Sequence, residues 1–381
     1  MYVGMDVHKD MCHIVQVNDS GEVTESYKIK NSIQRLDQIL RKIPRNAKIA
    51  LEAGTSSRPV YRRLQKLGFE IHMANPSKMG HVSSNKKTDE QDAIRIAKLL
   101  RMGELPECYV PSIETEAMRT LVRHRVSLGV KTAAVKNQIH ALLALNGVKP
   151  NLSASDLFGK RGMNFLNHLE LPSEEQRILK SYLRELGFLR EEIETADTKL
   201  ASIAEDDKRA KLLMTIPGVD YYSALAIISE IGDIKRFPDA KKLTSYTGLV
   251  PRVYESSKRK YMGHITKSGP EVLRWILISD AHSAIRKDGK LKRFYTRLTR
   301  RVGANKAIVA TARKLLVIIY HMLTDLKPYE ERDDDLTYRK LSRMAMKARR
   351  NKMKKNIKRM SELEIRGREM LISLGGDISQ G

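Results

Sequence analysis

Two stretches of this chain repeat apolar residues on a three–four step, and they divide everything else. In residues 115–145, positions 118, 121, 125, 128, 132, 135, 139 and 142 read Met, Leu, Arg, Leu, Thr, Val, Ile and Leu. In residues 174–205, positions 179, 182, 186, 189, 193, 196, 200 and 203 read Leu, Tyr, Leu, Leu, Ile, Ala, Leu and Ile. A period near 3.5 sustained over about thirty residues predicts a long helix with one seam turned toward a partner. Two such helices joined by a polar loop predict a coiled-coil arm over 111–205, folded back within the chain or shared between copies. The plainer alternative is a two-helix piece of a bundle.

The pattern before the arm is different. Tyr2–Val7, Cys12–Val17 and Val23–Ile29 are short apolar runs, the last two separated by Asn18-Asp19-Ser20-Gly21, and they read as strands joined by turns. Ile33–Ile43 and Pro59–Leu67 carry helical spacing, while Lys48–Glu52 and Phe69–Ala74 read as further strands. Thr88 and Gln91 form a capping-box signal that opens a helix running to Leu100. Strands alternating with helices predict an α/β domain over 1–110, a sheet covered by helices.

After the arm, 206–331 reads as mainly helical. Leu213–Gly232 places Pro217-Gly218 between two apolar helical stretches and predicts a helix-hairpin-helix-like element, a shape whose loop amides can grip a phosphate backbone. Asp220 would oppose that grip, and a plain helical packing unit is the alternative. Residues 271–287 and 304–323 read as two more amphipathic helices. The remainder, 332–381, is a tail in which residues 347–359 hold eight basic residues in thirteen.

The charge narrows the partners. The chain carries 70 Lys and Arg against 45 Asp and Glu, net +25 over 381 residues. The four segments carry +5, +1, +12 and +7 in order, so the surplus lies after residue 205. Such a surplus favours a polyanion, nucleic acid or an anionic membrane face. No run of 18 uninterrupted apolar residues is present, so no membrane partner is expected. Residues 1–21 do not read as a secretory leader, and Cys12 and Cys108 predict neither a disulfide framework nor a zinc site. A cytosolic protein acting on DNA or RNA is the expectation.

Four acids stand where a metal site could form. Asp6 lies inside an apolar strand, Glu52 ends a second strand, and Asp89 and Asp92 lie three apart in the first turn of a helix. Singly, each has a plain explanation: a solvated strand face, or acids favoured by the helix dipole. Together they offer the hard oxygen donors that Mg²⁺ requires, and paired ions suit phosphodiester chemistry. The ten histidines show no metal-ligand pairing by spacing.

A second constellation is Ser256-Ser257-Lys258-Arg259-Lys260, with Arg252 before it and Lys267 and Arg274 after it. Two hydroxyls followed by three cations suit a nucleophile attacking phosphorus, since the cations hold the phosphate and offset charge in the transition state. A surface loop touching phosphates would look the same.

Several segments together resemble a known family. They are Met1-Tyr2-Val3-Gly4-Met5-Asp6-Val7-His8-Lys9, Ala50-Leu51-Glu52-Ala53-Gly54, Lys87-Thr88-Asp89-Glu90-Gln91-Asp92-Ala93, Leu212 to Gly218, Tyr246-Thr247-Gly248-Leu249-Val250-Pro251, and Gly263 to Gly269 followed by Leu273-Arg274. In this order and spacing they resemble the DEDD-type insertion-sequence transposases, bridge-RNA-guided serine recombinases, over roughly residues 1–325. The resemblance implies an RNase H-like, RuvC-type domain over 1–110 whose Asp6, Glu52, Asp89 and Asp92 bind Mg²⁺. It implies a helical arm for assembly and a helical transposase domain carrying the serine. Ser256 falls at the family's serine and Ser257 at the glycine that usually follows it, so Ser257 is the alternative nucleophile. Arg252, Lys258, Arg259, Lys260, Lys267 and Arg274 are the expected nucleic-acid contacts. The implied partners are donor and target DNA, a structured noncoding guide RNA, and further copies of the chain in a dimer or tetramer, the metal site of one subunit meeting the serine of another.

Three readings follow. The first is an RNA-guided DNA recombinase of a mobile element. The second is a metal-dependent nuclease or junction resolvase using only the four acids. The third is a non-catalytic nucleic-acid scaffold.

Overall fold

The computed structural model describes residues 1–79, 88–150, 157–256, 259–287 and 289–350, with backbone alone for 255, 256, 259, 260 and 262. The chain separates into two compact units, Met1–Pro111 and Ser112 onward.

The first unit is built on a mixed sheet. Its elements are β1 (Tyr2–Val7), β2 (Met11–Val17), β3 (Val23–Lys30), α1 (Ile33–Leu40), β4 (Lys48–Glu52), α2 (Ser57–Lys66), β5 (Glu70–Ala74), α3 (Pro76–Met79) and α4 (Asp89–Met102). The strand order is β3-β2-β1-β4-β5. β1 pairs antiparallel with β2 and parallel with β4, and β4 runs parallel to β5. This arrangement is compatible with the RNase H-like expectation. β1 is buried on both faces, and its two sets of alternate residues meet different partners. Val3 and Met5 join Ile14, Leu36, Ile49 and Leu64 on one side. Gly4 faces α4 on the other, where a Cβ would stand 2.0 Å from the carbonyl oxygen of Ala93. Only glycine lets the helix backbone approach this closely. Thr88 caps α4 by accepting from Gln91 N, and Gly103 ends it in the left-handed conformation.

The second unit is mostly helical. Its elements are α5 (Ile113–Leu145), α6 (Lys160–His168), α7 (Ser173–Asp206), α8 (Lys208–Leu213), α9 (Tyr221–Ile231), α10 (Ala240–Tyr246), β6 (Pro251–Ser256), β7 (Arg259–Ile265), α11 (Glu271–Ala284), α12 (Lys290–Val302) and α13 (Ala304–Asp325). Residues 334–350 are also helical. The two long helices of the repeat, α5 and α7, pack on one another. Leu128, Val135, Ile139, Leu179, Leu186 and Leu189 share one core cluster between them. Arg125, a charged residue in the seam, bonds Asp197 of α7 at 2.7 and 3.4 Å. At the base of the pair, the fully buried Glu230 of α9 accepts two bonds from Arg123, at 2.7 and 2.9 Å. A buried carboxylate needs such a fork to offset its desolvation.

The helices on either side of Pro217-Gly218 are α8 and α9. The loop between them is turned inward: Met214, Ile216 and Val219 are fully buried. Their carbonyls accept from Nζ of Lys340, at 2.8 Å for Ile216 and 2.9 Å for Val219. Asp220 is the N-cap of α9, accepting from Tyr221 N at 2.7 Å, and its own backbone N–H donates to Ser223 Oγ at 3.0 Å. The acid that seemed ill-suited to gripping phosphate is thus a helix cap, and the hairpin is a packing unit of the core. The stretch 334–350 joins the same core through Met344 and Ala348. α13 has the length and mean hydropathy, 1.5, of a membrane-crossing helix, but half of it is buried, and it packs against α10, α11 and α12.

Candidate active site

The acid cluster is assembled by β1, β4 and α4. Asp6 is two residues beyond Gly4 and lies on the same face of β1, so the close approach of α4 brings the first helical turn over it. Its side chain is 13% exposed, which rules out a solvated strand face. Glu52 ends β4 beside β1, at the carboxyl end where parallel strands leave room for a ligand. Asp89 and Asp92 occupy the first turn of α4.

Crowding marks these groups. Burial raises the Asp6 carboxyl above its ordinary range; His8 works against the rise, and Asp89 and Asp92 add to it. Burial likewise raises Glu52, and Asp6 and Asp92 reinforce it. The four acids therefore lie in one electrostatic neighbourhood. A cation among them would relieve a repulsion that the fold imposes.

The structure adds a residue that spacing did not reveal. His8 Nε2 lies 3.1 Å from Asp6 Oδ2 and 3.5 Å from Asp89 Oδ1. One ligand atom from each of Asp6, His8 and Asp89 falls within 4.8 Å of the others, a grouping able to hold a metal ion. His13 faces Asp6 across the β1–β2 pair, with Nε2 buried, unbonded, and 3.6 Å from Asp89 Oδ2. The signal for His8 was Asp6-Val7-His8, but the partner that completes it stands some eighty residues away on α4. Oxygen donors with one imidazole fit a divalent cation of the Mg²⁺ or Mn²⁺ kind.

The serine region is a β-hairpin. β6 and β7 pair antiparallel, with Ser256 opposite Arg259, Glu255 opposite Lys260 and Tyr254 opposite Tyr261. Ser257 and Lys258 lie outside the described residues. Ser256, Arg259 and Lys260 are placed by their backbone at the turn end of the ladder. Arg252 and Lys267 are exposed. Arg274 is half-buried, and its Nη1 donates to the carbonyls of Ser268 and Gly269 at 2.8 and 2.9 Å. It thereby holds the turn that follows β7. At Gly269 a Cβ would stand 1.8 Å from the carbonyl oxygen of Tyr246, which accounts for glycine in this motif.

α12 is a basic surface that sequence reading passed over. Lys290, Lys292, Arg293, Arg297, Arg300 and Arg301 lie on its thirteen residues with no acid among them. Leu291, Phe294, Tyr295, Leu298 and Val302 carry the helical spacing that could have identified it.

Comparison with known proteins adds a separate line. Residues 210–296 match a family described as "Transposase IS116/IS110/IS902 family", and residues 3–146 match a transposase family of the DEDD IS110 type. The chain is 25% identical over 332 residues to the transposase for insertion sequence element IS1111A of Coxiella burnetii, covering 86% of this chain and 90% of that one. It is 26% identical over 340 residues to the transposase for insertion sequence element IS1533 of Leptospira borgpetersenii, covering 86% and 97%. A similar match, 26% over 326 residues, is to the transposase for insertion sequence element IS1328 of Yersinia enterocolitica.

Proposed function

Because the chain belongs to the IS110/IS116 family of DEDD insertion-sequence transposases, and so acts on DNA, we propose that it cuts and rejoins donor and target DNA by a serine mechanism supported by a metal site. The observation that carries the metal site in this reading is the convergence of Asp6, Glu52, Asp89 and Asp92, with His8 among them, from three separated segments of the sequence. Asp6, His8 and Asp89 would hold Mg²⁺ directly, with Glu52 and Asp92 completing the acidic surround. When bound, Mg²⁺ supplies charge neutralisation and polarisation at a phosphoryl oxygen.

Ser256 is the proposed nucleophile, with Ser257 the alternative. Its Oγ attacks phosphorus, a serine–DNA phosphodiester forms, and one deoxyribose hydroxyl leaves. Attack by a hydroxyl of the other DNA reverses the step and rejoins the strand. One phosphodiester is kept throughout, so no external energy source is needed. Arg252, Lys258, Arg259, Lys260 and Lys267 are the proposed phosphate contacts; Arg274 positions the turn beside them. The α5–α7 pair is proposed as a coiled-coil arm for assembly into a dimer or tetramer, within a division at 1–110, 111–205, 206–331 and 332–381. A structured guide RNA is the proposed second nucleic acid, with the work done in a prokaryotic cytoplasm.

The test is a covalent adduct. The full chain incubated with DNA and Mg²⁺ should give a protein–DNA species that survives denaturation and is absent from Ser256→Ala. If Ser256→Ala and Ser257→Ala both retain full strand cleavage while Asp6→Ala abolishes it, the serine mechanism is wrong. The nuclease reading would then stand, favoured by the acid cluster forming within one compact unit. RNA that co-purifies with the recombinase and resists DNase separates the guided reading from both others.

A further inference from the structure

The serine hairpin carries a feature that phosphate contact does not explain. Tyr254 and Tyr261, opposite each other on β6 and β7, stack with ring centroids 4.8 Å apart and planes 13° from parallel. Both are open to solvent, Tyr254 at 44% and Tyr261 at 61%. Gly263 makes room for the first ring: a Cβ there would stand 3.0 Å from Tyr254 Cε2. Two large aromatic rings held together at the surface bury only part of their area and leave an outer π-face uncovered.

The pair's position gives that face a use. Ser256 and Arg259 stand opposite each other two residues further along each strand, at register positions of the same parity as the tyrosines. Two strand residues span about 7 Å, close to two nucleotides at about 3.4 Å of rise each. Beside the other end of the hairpin lies a cleft of about 640 Å³, lined in part by His264, Lys306 and Arg313. Arg252, Lys306 and Arg313 are exposed, and none pairs with a described carboxylate. Cations spaced along a groove with aromatic rings between them are what a single strand of nucleic acid requires: charge for the backbone, π-faces for unstacked bases.

We propose that Tyr254 and Tyr261 form a stacking platform for a base of single-stranded DNA, within about two nucleotides of the phosphate presented to Ser256, and that Lys306 and Arg313 hold the backbone of the same strand. The location relative to the cut rests on Ser256 as nucleophile; the platform itself does not. A strand so held would be unpaired next to the cut, free to exchange with a second DNA.

The experiment uses the full chain with a single-stranded DNA oligonucleotide containing 2-aminopurine, and with the same sequence as a duplex. The chain should quench 2-aminopurine in the single strand. Tyr261→Phe should keep both quenching and affinity. Tyr261→Ile, which suits a strand and retains an apolar cross-strand contact, should lose quenching and bind about tenfold more weakly, with unchanged salt dependence and melting temperature. Lys306→Gln with Arg313→Gln should instead lower the salt slope by about 1.4. Undiminished binding and quenching by Tyr261→Ile overturns the platform, as does an equal loss on the duplex. An oligoribonucleotide bound tenfold more tightly than the DNA overturns the assignment to DNA. Ser256→Ala should bind the single strand as the unaltered chain does, so a failed platform and a failed serine mechanism give different results.

Discussion

Gly4 of β1 and Ala93 of α4 meet backbone to backbone, with no room for a methyl group between them. That contact sets the height of the first turn of α4 above Asp6. Gly4→Ala should force the helix outward, costing about 1–3 kcal/mol of stability. It should also lower DNA strand transfer more than the stability loss accounts for, because Asp89 moves away from Asp6. Chemical denaturation paired with a strand-transfer assay on folded protein checks this; full activity in a destabilised Gly4→Ala would show that the approach of α4 does not govern the site.

Metal binding and neutralisation should each relieve the repulsion in the acid cluster, and neutralisation should remove the response to metal. Asp6 is raised by burial, so its ionised form costs stability at neutral pH when no cation is present. Asp6→Asn should therefore raise the melting temperature in EDTA. In the unaltered chain Mg²⁺ should raise the melting temperature by linkage, and in Asp6→Asn that rise should shrink or vanish. His8→Ala should weaken the Mg²⁺ or Mn²⁺ effect several-fold. Thermal scans across a Mg²⁺ titration measure both, and an equal metal response in all three proteins would exclude this site as the binding place.

Lys340 is the plug of the α8–α9 loop, its ammonium shared among three carbonyls. Lys340→Met leaves these acceptors unpaired and removes a cation near Asp280; a loss of about 3–5 kcal/mol is expected. The boundary of a truncation matters for the same reason. Ending the chain after Arg350 should spare stability while weakening nucleic-acid binding and flattening its salt dependence, since it removes five of the eight basic residues of 347–359. Ending it after Arg339 should unfold the second unit. Urea midpoints of the two truncations decide the matter.

Asp280 gives the second unit a pH dependence. Burial raises its carboxyl to about 8; a bond from Ser223 and the Lys340 ammonium oppose the rise, and Asp220 adds to it. A folded-state value above the ordinary 3.8 means the folded protein holds the extra proton between the two. Stability from this group is thus complete below about pH 4 and declines as pH rises toward 8. Asp280→Asn should flatten that decline. Urea unfolding between pH 5 and 7.5 tests it, below the range where Lys340, whose burial pulls its ammonium down to about 8, would contribute. An unchanged slope in Asp280→Asn would assign the dependence elsewhere.

Much of this was legible from local pattern. Ten of the sixteen heptad positions of α5 and α7 are buried and the other six are half-buried, because the face a helix turns inward follows from spacing. Thr88 and Gln91 marked the start of α4, and the short apolar runs marked β1, β2 and β3. The β6–β7 hairpin is not legible in a region whose pattern is mainly helical, since its strands carry charges and tyrosines rather than an apolar face. Local pattern left the loop at Pro217 open between a phosphate grip and a packing unit, because its occupant, Lys340, is more than a hundred residues away.

The amino-acid sequence alone thus determined the helical seams, the caps, the strand segments, the family motifs and the concentration of positive charge after residue 205. These depend on neighbours within a turn or a strand, or on composition. Only the tertiary structure decided that His8 belongs with Asp6 and Asp89, that Gly4 is what lets α4 reach them, and that Lys340 fills the hairpin. Each of these is a contact between distant segments, and its energy comes from burial and charge brought together by chain folding, which no local spacing encodes.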